Sequence, residues 1–219
     1  MSTRLHFQAE MEHFRTGLVE MASLVLSQVE RGVAAWEDVD VAAAADVIAT
    51  DDQVDARCAE LDQKVFSLQL LEAPVAGDQR LLHVGLIAVI ALERVGDLAV
   101  AIAEAATSVR PEGAVPEVQA LISRMSARSV DTLARAVQAI ARGDAELGEQ
   151  AAVEAAVVRQ MLGEVVASTA AAPDEPETRV WSAAAVLVGR HLERVANNGA
   201  ELGGRVRFLV SGEAFTRAT

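Results

Sequence analysis

The chain has 219 residues, 52% of them apolar and only 3% aromatic, and its 32 acidic against 19 basic residues leave a formal net charge of −13. That apolar fraction excludes a disordered chain. The acidic balance excludes nucleic acid as a partner, because phosphate contacts need clustered Lys and Arg, whereas cations and basic protein surfaces suit it.

With Tyr absent and Ala, Val and Leu dominant, the composition favours helices over strands. Pro74, Pro111, Pro116, Pro173 and Pro176 fall between long proline-free segments, as expected of helix boundaries. Six helices are predicted, at about 4–35, 37–72, 77–108, 116–142, 144–170 and 177–209. A rod of about 30 residues runs on the order of 45 Å, so the expected fold class is all-α, built of elongated antiparallel bundles. The first helix carries Leu18, Met21, Val25, Val29, Val33 and Trp36 at spacings of 3 or 4, an amphipathic stripe. Val47, Val54, Cys58, Leu61, Val65 and Leu68 stripe the second. The third is almost apolar all round from Val84 to Leu92, which marks a buried rod; Ala183 to Val188 leads to the same expectation for the sixth. Pro111 to Pro116 is the expected boundary between a first domain at 1–110 and a second at 115–210. A frayed tail is expected at 211–219.

Charged residues Arg4, Glu10 and Glu12, together with His6, interrupt the N-terminus, so no secretory leader is expected. The longest run without an acidic or basic residue other than histidine, Leu81 to Leu92, has 12 residues, against the ~20 needed to cross a bilayer. A soluble, cytoplasmic protein is the expectation. The single cysteine, Cys58, permits no intrachain disulfide and no Cys-rich zinc site; it reads as a small core residue.

The chain repeats itself. Leu92-Glu93-Arg94-Val95-Gly96-Asp97 returns as Leu192-Glu193-Arg194-Val195-Ala196-Asn197, 100 residues later. Met21, Val33 and Asp40 match Met125, Val137 and Asp144 at an offset of 104. Two copies of a three-helix unit account for both.

The first copy carries two acidic i, i+4 pairs, Asp51 with Asp55 and Glu93 with Asp97, each on one helix face. Asp55 lies 19 residues before Pro74 and Glu93 lies 19 after it; Asp51 and Asp97 are each 23 away. An antiparallel hairpin would therefore set both pairs at one height. Four converging carboxylates raise one another's pKa values, and a bound cation removes that conflict. Oxygen donors select hard ions such as Mg²⁺, Mn²⁺ or iron. The competing reading is a solvated face in which Arg57 or Arg94 pairs with these acids. Asp52, about 100° round the helix from Asp51, reads as solvated.

The second copy lacks the set. Asp51 and Asp55 correspond to Ala155 and Arg159, and Asp97 to Asn197, which leaves Glu193 alone. Arg159 is expected to compensate Glu193 where the first copy uses a metal. Glu10-x-x-His13 has the spacing of ferritin-like ligands, but those need two copies; His83 and His191 read as satisfied core or boundary histidines. No phosphate-cradling glycine loop or nucleophile set stands out. A carboxylate-bridged enzyme, a hydrolase or oxidase, is the alternative to a regulator; it would need an open coordination position and a nearby acid or base.

The Asp51–Asp55 spacing, the turn Pro74-Val75-Ala76-Gly77-Asp78-Gln79-Arg80 and Leu92-Glu93-Arg94-Val95-Gly96-Asp97 resemble the PhoU family of phosphate-uptake regulators over roughly residues 4–209. The turn is similar to the family's Pro-Val-Ala-x-Asp-Leu-Arg, with Gln79 in place of Leu. The resemblance implies two three-helix bundles related by pseudo-twofold symmetry. It also implies surface metal clusters held by Asp/Glu-x-x-x-Asp motifs, which carry over to Asp51, Asp55, Glu93 and Asp97, with iron, zinc, magnesium or manganese as the ion. It implies a non-enzymatic protein that damps phosphate uptake and phosphate-starvation signalling. The implied partners are the ATPase of a phosphate ABC transporter and a sensor histidine kinase at the inner membrane face, with membrane association peripheral at most and homodimers allowed. Family members usually end the second motif in Asp followed by His or Arg, whereas this chain has Asn197-Asn198-Gly199, so a single metal site in the first half is expected. Some relatives sit beside other transporters, which leaves a different transported solute as an alternative.

Overall fold

Six α-helices make up the architecture in a computed structural model that describes residues 2–72 and 74–213: α1 (Ser2–Asp38), α2 (Val41–Glu72), α3 (Gly77–Ala105), α4 (Pro116–Arg142), α5 (Ala145–Ala170) and α6 (Pro176–Ser211). Among the described residues there is no strand. The all-α class with two three-helix units is as the repeat implied, and each predicted helix is present within a few residues. The third ends earlier than expected because its last turn tightens into a 3₁₀ segment, Ala106–Ser108, before a second short one at Pro111–Gly113.

Local chemistry explains the ends. Pro116 and Pro176 open α4 and α6 at first-turn positions, where a missing N–H costs nothing. Asp144 caps α5 by accepting from the Leu147 N–H at 3.0 Å, and Asp40 accepts from Ala42 and Ala43 at 3.0 Å each at the start of α2. Both caps follow a left-handed residue closing the preceding helix. In the second unit this is Gly143 (φ 67°), with Asp144 N–H donating to Ala139 O at 2.9 Å. In the first it is Val39 (φ 52°), with Asp40 N–H donating to Ala35 O at 2.9 Å. The two turns are copies, and only the second has the residue that the conformation favours.

α1, α2 and α3 pack on one another, as do α4, α5 and α6. The units are joined along α1–α4 and α3–α6. Both seams are antiparallel. Arg15 Nη1 donates to Ala141 O at 2.9 Å and Gln119 Nε2 to Glu37 O at 2.9 Å, while Arg80 Nε donates to Leu209 O at 2.9 Å. Equivalent helices thus meet head to tail, as a pseudo-twofold requires. One continuous core runs through both units, and Trp36 stacks on Trp181 within it, centroids 5.0 Å apart.

Three expectations need correction. α6 is not buried all round between Ala183 and Val188, since Leu187 is 59% exposed and Ala183 is also exposed; the outer face of α6 has no helix covering it. His191 is not satisfied, because its Nδ1 is buried without a hydrogen-bond partner. His83 is exposed and rests edge-on against Phe208, 6.1 Å between centroids. Of the tail expected at 211–219, Ser211 belongs to α6, Gly212 caps it in the left-handed region, and 214–219 lie outside the described residues. None of the helices searched among the described residues is long and apolar enough to cross a membrane.

Candidate metal centre

The α2–α3 hairpin turns at Pro74–Ala76 and runs antiparallel in the register counted from Pro74. Gly96 marks this register: a Cβ there would stand 3.1 Å from Asp51 Oδ1 and 3.1 Å from Val54 Cγ1. Asp51 on α2 therefore lies against α3 between Glu93 and Asp97. Asp51 and Glu93 are half-buried, while Asp55 and Asp97 are exposed. Val54, Val95 and Leu92 beneath them are buried, which fixes the two motif faces at the edge of the core.

The four groups feel one another. Burial pushes the Asp51 carboxyl above its ordinary range; a hydrogen bond from Gln28 opposes this, and the charges of Asp55, Asp97 and Asp52 add to the rise. Burial likewise raises Glu93, and Asp97, Asp55 and Asp51 raise it further against a smaller opposing contribution from Arg94. The Cys58 thiol, next on α2, is pushed up by burial and then by Glu93, Asp62 and Asp55. Cys58 is half-buried at the border of the core.

Neither arginine of the solvated-face reading pairs with these acids. Arg57 turns away, to Glu60 at 2.6 Å and to Glu20. Arg94 lines a cavity of about 220 Å³ between α3 and α6 with Asn198 and Glu201. Among the described residues none of the four carboxylates is in an ion pair. Asp52 is exposed.

One member was missed. Gln28 on α1 is fully buried. Its Nε2 donates to Asp51 Oδ1 at 3.2 Å and to Val47 O at 3.3 Å, while its Oε1 has no partner and lies 3.5 Å from where a Gly96 Cβ would stand. The signal was available: Leu18, Met21, Val25, Gln28 and Gly32 keep strict 3–4 spacing, so an amide occupies a core position of the stripe.

By donor type the site fits a hard cation: four carboxylates without basic partners and a buried amide oxygen with none. As the side chains stand, however, no group of three or more His, Cys, Asp or Glu among the described residues is arranged to hold a metal ion. His13, the one candidate acid–base group, is 74% exposed and pairs with Glu10 at 3.6 Å. It is 15 residues before Gln28 on the same helix, about 22 Å away along the axis.

The second unit resolves the same position differently. Glu193 is 4% exposed and is held by Arg190, by Asn197 Nδ2 at 2.9 Å, and by Arg159 Nε at 3.8 Å. Arg159 also donates to Asn197 Oδ1 at 3.3 Å. The offset located Arg159; Arg190, one turn before Glu193 on α6, was not anticipated.

A PhoU domain model matches residues 18–106. The "Phosphate-specific transport system accessory protein PhoU homolog 1" of Mycobacterium leprae is 28% identical over 216 residues, covering 95% of this chain and 94% of that protein. The crystal structure of PhoU from Pseudomonas aeruginosa superposes with a TM-score of 0.85 at 28% identity, over 94% of this chain and all of that one. Residues 18–106 match a PhoU domain, and nearly the whole chain is similar in sequence and fold to PhoU proteins. The P. aeruginosa PhoU homolog is more similar, 33%, over a shorter stretch of 141 residues, which spans 64% of this chain and 58% of that protein. The PhoU domain match runs from Leu18 in α1 to Ala106 and so contains all four candidate carboxylates and Gln28.

Proposed function

We propose that the chain is an accessory regulator of phosphate transport that binds one hard cation on its first bundle and acts through protein contacts, without catalysis. The observation that supports this reading is the uncompensated Asp51, Asp55, Glu93 and Asp97 set, beside a second unit in which the equivalent charge is internally neutralised. Its relatives are phosphate-specific transport system accessory proteins, which supports phosphate as the transported solute. Binding requires the exposed Asp55 and Asp97 to swing toward the half-buried Asp51 and Glu93. A bound cation supplies charge neutralisation there. The residues themselves do the rest: the α2–α3 hairpin holds two carboxylates against the core, and Gly96 leaves room for them.

The partners this reading implies are the ATPase of the transporter and a sensor histidine kinase, met at the inner membrane face. Two measurements test the reading. Deletion of the gene should raise phosphate uptake under phosphate sufficiency, and an unchanged uptake sinks the regulatory role. Metal content of the purified protein should fall by at least half in Asp97→Asn, the change the second unit already carries; equal content in both proteins sinks the site.

A further inference from the structure

The second unit shows what the carboxylates alone do not. Taking the 104 offset for α1/α4, Gln28 corresponds to Thr132; with the 100 offset for α3/α6, Gly96 corresponds to Ala196. Thr132 is buried and satisfies itself by donating to Arg128 O at 2.7 Å on its own helix. Ala196 is fully buried and carries the methyl group that Gly96 lacks. Where the acids are lost, the amide and the notch are lost with them.

In the first unit, Gln28 cannot satisfy itself. Both its hydrogen bonds use Nε2, to Asp51 and to the Val47 carbonyl, so the amide is oriented with Oε1 toward α3. That oxygen is buried without a donor and lies over Gly96, on the helix that carries Glu93 and Asp97. An unpartnered buried acceptor destabilises a fold, and here it is aimed at the one place where a cation is argued to bind. An oxygen so placed suits a cation, which takes neutral amide oxygens beside carboxylates.

We propose that Gln28 is a part of the cation site contributed by α1: its Nε2 holds Asp51 in place and its Oε1 supplies a neutral oxygen in the notch left by Gly96. The site thereby draws on all three helices of the bundle. This rests on the cation-binding reading above, and the test separates the two.

Mn²⁺ titrated into metal-free protein is the probe, read by calorimetry, with thermal unfolding of the metal-free form measured in parallel. Gln28→Met keeps the volume and removes both polar atoms. It should weaken Mn²⁺ binding at least about tenfold, the loss usual for groups that orient metal ligands, while the metal-free protein unfolds no earlier than wild type. Gly96→Ala, which closes the notch as in the second unit, should weaken binding to a similar degree. Gln28→Glu loses the same donor but retains an oxygen; it should bind Mn²⁺ more tightly than Gln28→Met while its metal-free form unfolds earlier than wild type. Gln28→Met binding within twofold of wild type, when Asp51→Asn does not bind, overturns the role of Gln28 and leaves the carboxylate site standing. Binding by a folded Gln28→Glu no tighter than that of Gln28→Met overturns the oxygen-donor role as well. Wild-type protein that takes up no Mn²⁺ overturns the site reading, and the role of Gln28 with it.

Discussion

The two units share a backbone plan and differ in how they handle one buried charge. In the first, Asp51, Asp55, Glu93 and Asp97 face one another with no cation among the side chains. In the second, Glu193 stays buried within the unit, held by Arg159 of α5 and by Arg190 and Asn197 of α6. A scaffold tolerates a carboxylate at this position only if something neutralises it. On the cation-binding proposal the first unit leaves that to a ligand, whereas the second supplies the compensation from its own side chains.

The units also differ in helix spacing, and breaking that difference has the largest expected effect. Gly148 on α5 and Gly203 on α6 let the two backbones approach so closely that a Cβ on Gly203 would stand well inside van der Waals contact distance of Gly148 O. Their counterparts, Ala44 and Ala103, carry methyl groups and are fully buried. Gly203→Val should lower stability by about 3 kcal/mol, as overpacking against backbone does, measured by urea unfolding. A loss below about 1 kcal/mol would mean that α5 and α6 separate easily.

Charge removal should then give opposite signs in the two units. In metal-free protein, Glu93→Gln should raise stability by about 1 kcal/mol through relief of like-charge repulsion. Glu193→Gln should lower it by about 1 kcal/mol, because two arginines lose their anion. Equal signs would erase the contrast drawn here. A smaller effect belongs to the paired turns: Val39→Gly gives the first turn the residue of the second. Relief of left-handed strain on a β-branched residue, set against lost packing of a half-buried side chain, should leave a net gain of about 0.5 kcal/mol.

The smallest effect is on pH dependence. Asp51 and Glu93 have folded-state pKa values above their ordinary 3.8 and 4.5. Below those values both states are protonated and the groups impose no penalty. As pH rises from there through the raised folded values, the unfolded chain releases its protons first, so stability falls across that window and then levels. Denaturant titrations in chelator should show this decline, and saturating Mn²⁺ or the double variant Asp51→Asn, Glu93→Gln should flatten it.

Much of this was legible in the residues. The offsets between Asp40 and Asp144 and between the two Leu-Glu-Arg-Val runs define the repeat, and counting from Pro74 sets the height of the carboxylates, because helix rise is constant. Gln28 was passed over because stripes are read for apolar residues, and a buried amide looks like an interruption until its partners are seen. Arg190 was hidden because Arg94 stands in the repeated motif and drew attention to the wrong arginine. The exposure of Leu187 depends on which helix covers α6, and local apolar content says nothing about that.

The turn at Val39 has a kinetic meaning. Residues 143 and 144, Gly followed by a capping Asp, favour the bend between α4 and α5 before any tertiary contact exists, so that hairpin can close from local signals. At Val39 the residue opposes its own conformation, and the same bend forms only once the Ala35–Asp40 hydrogen bond and the docking of α1 on α2 hold it there. Folding is thus expected to be led by the second unit, with the unit that carries Asp51, Asp55, Glu93 and Asp97 completed against it.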